Sequence, residues 1–225
     1  MKKTLAALLI TSFALTGCAS RNIDGLTPKE QQRVNTAGES FSNKAVPAYI
    51  ALFPDHLDAK YKNADNTLNS QAVLNDFSKN WNAYYSGQAD FINSILNIHE
   101  EHDKDYRNKA KREIAQTDMN KDIPEKYIYE ACGENDFVRQ SSDQQLSFYQ
   151  CVFLNEMLNA DRKVLVSQVN NVSPEARQRI IDQSRNLAAG PYLEMVKRSF
   201  STQKWYHTPP QPAQPSFKSN GLIIR

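Results

Sequence analysis

The sequence predicts an all-α protein, a helical bundle or set of hairpins with one short extended segment and a disordered, proline-rich C-terminal tail. Three observations predict it. Only 7 glycines occur among 225 residues, whereas Ala, Leu, Lys, Glu, Asn and Gln are abundant and alternating Val/Ile/Thr runs are rare. Apolar residues recur at three- and four-residue intervals over long stretches. Two segments open with a capping residue followed by proline, Thr27-Pro28 and Ser173-Pro174. The chain contains no fixed-period repeat, phosphate-binding glycine loop, dinucleotide fingerprint or Gly-x-Ser-x-Gly elbow.

In chain order, Lys2 and Lys3 precede an apolar run from Leu5 to Leu15, broken by Thr11 and Ser12, which is the layout of a secretory signal. The run is shorter than the ~20 residues a membrane-spanning helix needs. It closes on Leu15-Thr16-Gly17-Cys18, which resembles the lipobox of bacterial lipoproteins. The resemblance implies a signal peptide at 1–17, cleavage before Cys18, a diacylglyceryl group on its sulfur and acylation of its new amine. Residues 18–26 then form a lipidated anchor and tether, and Ala19 at the second mature position implies the outer membrane, facing the periplasm. Several acyl chains at ~0.8 kcal/mol per buried methylene make such an anchor strong.

The formal net charge of +2 is accounted for by Lys2 and Lys3, so the body beyond the signal is close to neutral. No basic excess remains to argue for a nucleic-acid partner.

The body is expected at 27–206, with a division near 124–135. Thr27-Pro28-Lys29-Glu30 forms a capping box and starts a helix. Pro47 and Pro54 are expected to break 41–53 into shorter helical pieces. From Thr67 onward Leu68, Leu74, Phe77, Trp81, Tyr84 and Tyr85 make an aromatic face, resumed after Gly87 by Phe91, Ile92, Ile95, Leu96 and Ile98. One internal glycine costs only ~1 kcal/mol, so a single long helix is expected, its aromatic row serving as core. The segment HEEHDKDYRNKAKREIAQ is polar and reads as a solvated helix end or an interaction surface. KYIYEACGEND reads as the short extended or turn segment. Asp143 to Val169, with Leu146, Tyr149, Val152, Phe153, Met157, Leu158 and Leu165, reads as a helix. Ser173 opens another that is expected to stop at Gly190-Pro191, and Tyr192 to Tyr206 reads as a last helix. Residues 207–225, with four prolines between Pro209 and Pro215, form the tail.

With Cys18 assigned to lipid, Cys132 and Cys151 remain, and an even pair in an oxidising compartment reads as a disulfide. His99-Glu100-Glu101-His102-Asp103 is the one concentrated set of metal-type ligands, with His99 and His102 three apart on one helix side. The helical zinc-protease spacing is four, and His56 and His207 have no tie to them. Glu100/Glu101 are neighbours on a helix and point apart, which disfavours a paired-carboxylate glycosidase. No catalytic residue and no cofactor follow from these patterns.

CGENDFVRQSSDQQLSFYQCVFLNEMLNADRKVLVSQVNNVSPEARQRIIDQSRNLAAGPY resembles the LprI-like lysozyme-inhibitor domain in its paired cysteines, its Leu158-Asn159 dipeptide and its Arg/Gln-rich second helix. The late tryptophan and closing cysteine of that pattern are missing. The resemblance implies inhibition of a lysozyme-type enzyme by cations entering a carboxylate cleft, through Arg162, Lys163, Arg177, Arg179 and Arg185. The leading expectation is a lipid-anchored envelope protein that works by binding a periplasmic protein or a peptidoglycan-related partner. Muralytic-enzyme inhibition is the alternative, and a metal-dependent hydrolase at His99 and His102 the third reading.

Overall fold

A computed structural model of the chain describes residues 26–53, 59–117, 121, 123–134 and 142–200. The signal peptide, Cys18 and its lipid, most of the tether, His56, His207 and the proline-rich tail lie outside these residues. Six α-helices are described: α1 (Pro28–Ala51), α2 (Ser70–His102), α3 (Tyr106–Ala115), α4 (Glu125–Ala131), α5 (Ser142–Val169) and α6 (Pro174–Phe200). A 3₁₀ turn at Ala59–Tyr61 leads into α2.

The capping box at the start of α1 is present. Thr27 N–H donates to Glu30 Oε2 at 2.8 Å, and Glu30 N–H donates to Thr27 Oγ1 at 3.4 Å. Pro47, however, does not break α1 into pieces; one helix runs through it. Proline removes one backbone hydrogen bond and costs ~3 kcal/mol inside a helix. Here Ala45, Ala48 and Leu52 hold the turns on both sides by burial.

Helix α2 crosses Gly87 without interruption, and the glycine has a packing role that periodicity does not reveal. A Cβ at Gly87 would lie 2.8 Å from Ala45 Cβ. The missing side chain is therefore what lets α1 and α2 approach.

Two further expectations are corrected. KYIYEACGEND is mostly helical, forming α4, because Ile128 packs with Phe148 and Val152 of α5 in a small second core. Gly190-Pro191 does not stop α6, which continues to Phe200. Gly190 lacks the Cβ that would clash with the following proline ring in a helix. Tyr192, Met195 and Val196 are buried beyond it. At ~1.5–3 kcal/mol for each buried large side chain, these three outweigh the proline penalty.

Pairs of contacts give the topology. Arg33–Glu101 and Tyr49–Tyr84 make α1 and α2 antiparallel, whereas Tyr85–Met157 and Gln88–Asp161 make α2 and α5 parallel. Helix α6 returns antiparallel to both, through Phe153–Tyr192 and Phe77–Tyr192. Asn171, with φ of 52°, turns the chain between α5 and α6 in a conformation asparagine tolerates.

Parallel neighbours need a return connection, and α3 and α4 supply it. They run back along α5: Arg107 meets Gln168, Asn159 donates to the Ile123 carbonyl at 3.2 Å, and Cys132 is bonded to Cys151 with a Cα–Cα distance of 5.8 Å. The disulfide thus ties the return strap to α5, not α5 to α6. Its sequence separation of 19 corresponds to ~3 kcal/mol in the chain-entropy model.

The expected aromatic row is the core. Phe77, Trp81 and Tyr85 are fully buried, Phe77 stacks on Tyr192 at 4.5 Å, and Phe153 approaches both Phe77 and Trp81. Their polar atoms are satisfied across the helices: Trp81 Nε1 donates to the Ile181 carbonyl at 3.2 Å and Tyr85 Oη to the Met157 carbonyl at 2.9 Å. None of the described helices is long and apolar enough to cross a membrane.

Gly87→Leu is expected to force α1 off α2 and lower stability by ~1–3 kcal/mol, as overpacking does. Denaturant unfolding followed by circular dichroism checks this.

Candidate functional site

From Cys151 to Val169 the exposed residues of α5 are Leu154 and Leu158 alone, at 46 % and 52 %. Every other side of this part of the helix is covered by α2, α3, α4 or α6. Leu158 belongs to the apolar pattern that marked the helix in the sequence, yet it is not core.

The opposite wall is the end of α1. Val46, Tyr49, Ile50 and Phe53 follow the i, i+3, i+4, i+7 spacing that places them along one helix side. Ile50 is 62 % exposed and Tyr49 40 %. Helix α1 packs chiefly on α2, and it meets α5 where Phe53 lies 5.6 Å from the Phe153 ring. Between the walls lies a groove of about 350 Å³ lined by Tyr49, Phe53, Gln150, Phe153, Leu154 and Met195. Chemically it offers aliphatic and aromatic surface with few polar atoms.

One turn beyond Leu158 stands Asp161, half-buried and accepting from Gln88 Nε2 at 3.0 Å. Burial pushes its carboxyl up to about 6, against the opposite pull of the Gln88 hydrogen bond and the nearby Tyr85 hydroxyl. Burial likewise raises the phenols of Tyr84 and Tyr85.

A second, polar cleft of about 510 Å³ lies at the other end of the α1–α2 pair, lined by Lys29, Gln32, Arg33, Thr36, Ser94 and Asn97 among others. Its rim is tied by Arg33, both of whose contacts to the Glu101 carboxylate oxygens measure 2.7 Å. Glu30 Oε1 lies 2.7 Å from His102 Nε2. Hydrogen bonds from Thr27, with help from His102, hold the Glu30 carboxyl down to about 2.

His99 and His102 therefore serve different contacts. His99 stacks on Tyr106 with ring centroids 4.5 Å apart, and burial lowers its pKa, while His102 faces α1. Among the described residues no three His, Cys, Asp or Glu gather into a group that could hold a metal ion.

The five candidate cations of the C-terminal hairpin are not brought to one place by shared contacts. Arg177 pairs with Asp90 of α2 at 2.8 Å, and Arg185 with Asn82 at 3.1 Å and Asp182 at 2.8 Å. Lys163 acts on the Glu156 carboxyl and Arg179 on that of Glu175, and Arg162 is half-buried on α5.

The polar segment after Ile98 conceals a buried residue. Arg107, 6 % exposed, donates to the Gln168 carbonyl and to Asn97 Oδ1 at 2.7 Å, and its Nε lies 3.0 Å from Glu100 Oε2. It joins α2, α3 and the end of α5. Sequence reasoning passed over Arg107, Gln88 and Asp161 as structural centres. For Gln88 a signal existed: it occupies a core position between Tyr85 and Ile92, where an amide must find a partner.

Comparison with protein-family models, with curated proteins and with solved structures returns no match.

Arg107→Ala leaves the Gln168 carbonyl and the amide oxygens of Asn93 and Asn97 without their donor and is expected to cost about 3 kcal/mol. Arg107→Lys recovers only part of it, because an ammonium lacks the planar fork. Equilibrium unfolding of both variants checks the order.

Proposed function

We propose that the chain is a lipoprotein held by Cys18 on the periplasmic face of the outer membrane, and that it acts by binding an amphipathic helix of a periplasmic protein. The observation that supports this reading best is the open stripe of α5. A helix otherwise wrapped by the fold leaves Leu154 uncovered in a groove it shares with Tyr49 and Phe53, with Leu158 exposed one turn along. Two apolar walls with an aromatic floor suit the i, i+3, i+4, i+7 anchors of an inserted helix. The lining is mostly apolar, with Gln150 and the Tyr49 hydroxyl its only polar side-chain groups, so the groove favours the apolar side of a protein helix over the many hydroxyls of peptidoglycan.

The anchor limits where that partner is met. Nine residues, 19–27, separate Cys18 from α1, and a chain of that length reaches at most ~30 Å. The start of α1 is thus held near the membrane, and the groove, at the far end of that 24-residue helix, reaches up to ~36 Å further out. Inhibition of a muralytic enzyme draws less support, since Arg177 and Arg185 already serve contacts to α2 or within α6.

Cys18→Ala is expected to move the protein from the membrane to the soluble fraction; unchanged membrane fractionation would reject the anchor. Separately, a photo-crosslinking residue at position 154 or 158 in living cells is expected to trap a discrete protein adduct. Leu154→Asp combined with Leu158→Asp should abolish capture from a probe placed at Ile50 without lowering the melting temperature. Equal capture from a probe at the exposed Lys29, at the other end of the α1–α2 pair, would mean the groove is not the site.

A further inference from the structure

The polar pair at the α2–α5 contact is incomplete. Gln88 is 7 % exposed and gives Nε2–H to Asp161 Oδ1 at 3.0 Å, while its carbonyl Oε1, shielded from water, receives no hydrogen bond. A primary amide presents donor and acceptor side by side. A carboxylate has acceptors only and can answer one of them; a carboxylic acid can answer both.

We infer that Asp161 and Gln88 form a proton-operated latch between the parallel helices α2 and α5. One proton taken from solvent by the Asp161 carboxylate yields the neutral acid, whose O–H donates to Gln88 Oε1 while the other oxygen still accepts from Nε2–H. The single bond becomes a closed two-point pair, and the orphaned carbonyl is satisfied. No covalent bond changes apart from that O–H, and the reverse step returns the proton to water.

The surroundings suit this role. Tyr84 and Tyr85 face Asp161 from α2, with Tyr49 of α1 beside them, and burial keeps the phenols of Tyr84 and Tyr85 neutral through the relevant range. Besides burial, the influences on Asp161 are Gln88 and Tyr85, which favour the carboxylate and are outweighed by burial; among the described residues no charged group of α3, α4 or α6 acts on it. A carboxylate here lacks a cation to compensate it, which favours the neutral form.

The direction follows from linkage. Asp161 titrates near 6 in the folded chain against an ordinary value of 3.8, so the folded state holds a proton that the unfolded state has released. Its contribution is complete below 3.8 and is lost as pH rises through about 6. Glu156 is shifted the same way and His99 the opposite way, so the latch must be isolated by substitution.

The substitution Asp161→Asn supplies an amide in place of the acid and closes the same pair without a proton. In the full chain, Asp161→Asn is expected to melt about 6 °C above wild type at pH 7.5, to keep roughly half of that advantage at pH 5 and to lose it only below 3.8. In a Gln88→Leu background the neutral-pH gain should shrink, because burial still penalises the carboxylate but the introduced amide then has no partner. A gain undiminished without Gln88 shows burial alone and overturns the latch, as does an identical pH response of wild type and Asp161→Asn. Should Gln88→Leu fail to fold, the wild-type side-chain amide decides: its nitrogen resonance must titrate with the Asp161 carboxyl midpoint, and an unmoving signal overturns the inference. None of these measurements needs a groove partner, so the latch and the proposed function fail or stand separately.

Discussion

Helix α2 is the member on which the others lean, and its aromatic row makes that possible. Phe77, Trp81 and Tyr85 are each shared: Tyr192 of α6 stacks on the first, the Ile181 carbonyl of α6 accepts from the second, and the Met157 carbonyl of α5 accepts from the third. Large rings bury much apolar area, and their polar atoms require a partner when dry. Both demands are met by two other helices. On its remaining side α2 is stripped to glycine at position 87, so α1 can approach where no ring could fit.

That arrangement explains why α1 differs from the rest. It is seated by small residues along α2 and touches α5 only near its end, so its outer side carries little of the core. The groove is a product of this geometry. Where α1 meets Phe153 through Phe53, it passes over α5 without covering Leu154 and Leu158. A helix placed one radius closer would have closed the gap.

Much of the body was legible in the sequence, because caps and apolar spacing are local signals. The Thr27 box, the passage of α2 through Gly87 and the core role of Phe77 and Trp81 follow from such signals, and the Cys132–Cys151 bond from the cysteine count. The misreadings at Pro47 and Pro191 have a common physical cause. A proline penalty is a local quantity, while the burial of Leu52 after one proline and of Tyr192 after the other depends on helices far away in sequence. The candidate groove was illegible for the same reason: Leu158 has the spacing of a core residue, and only the absence of a neighbour at that spot exposes it. Arg107 was hidden in a charged run because nothing local distinguishes a buried guanidinium from a solvated one.

The return strap of α3 and α4 has a consequence for how the chain acquires its shape. Because α2 and α5 are parallel, the indole of Trp81 waits for a carbonyl 100 positions later, and the hydroxyl of Tyr85 for one 72 positions later. A chain made from its N-terminus completes the α1–α2 hairpin early, with its aromatic side still uncovered. Only after the strap has been laid and the last helix has appeared can that side be sealed. The hairpin is therefore not a self-sufficient folding unit, and contiguity in sequence is a poor guide to which pieces of this molecule can exist alone.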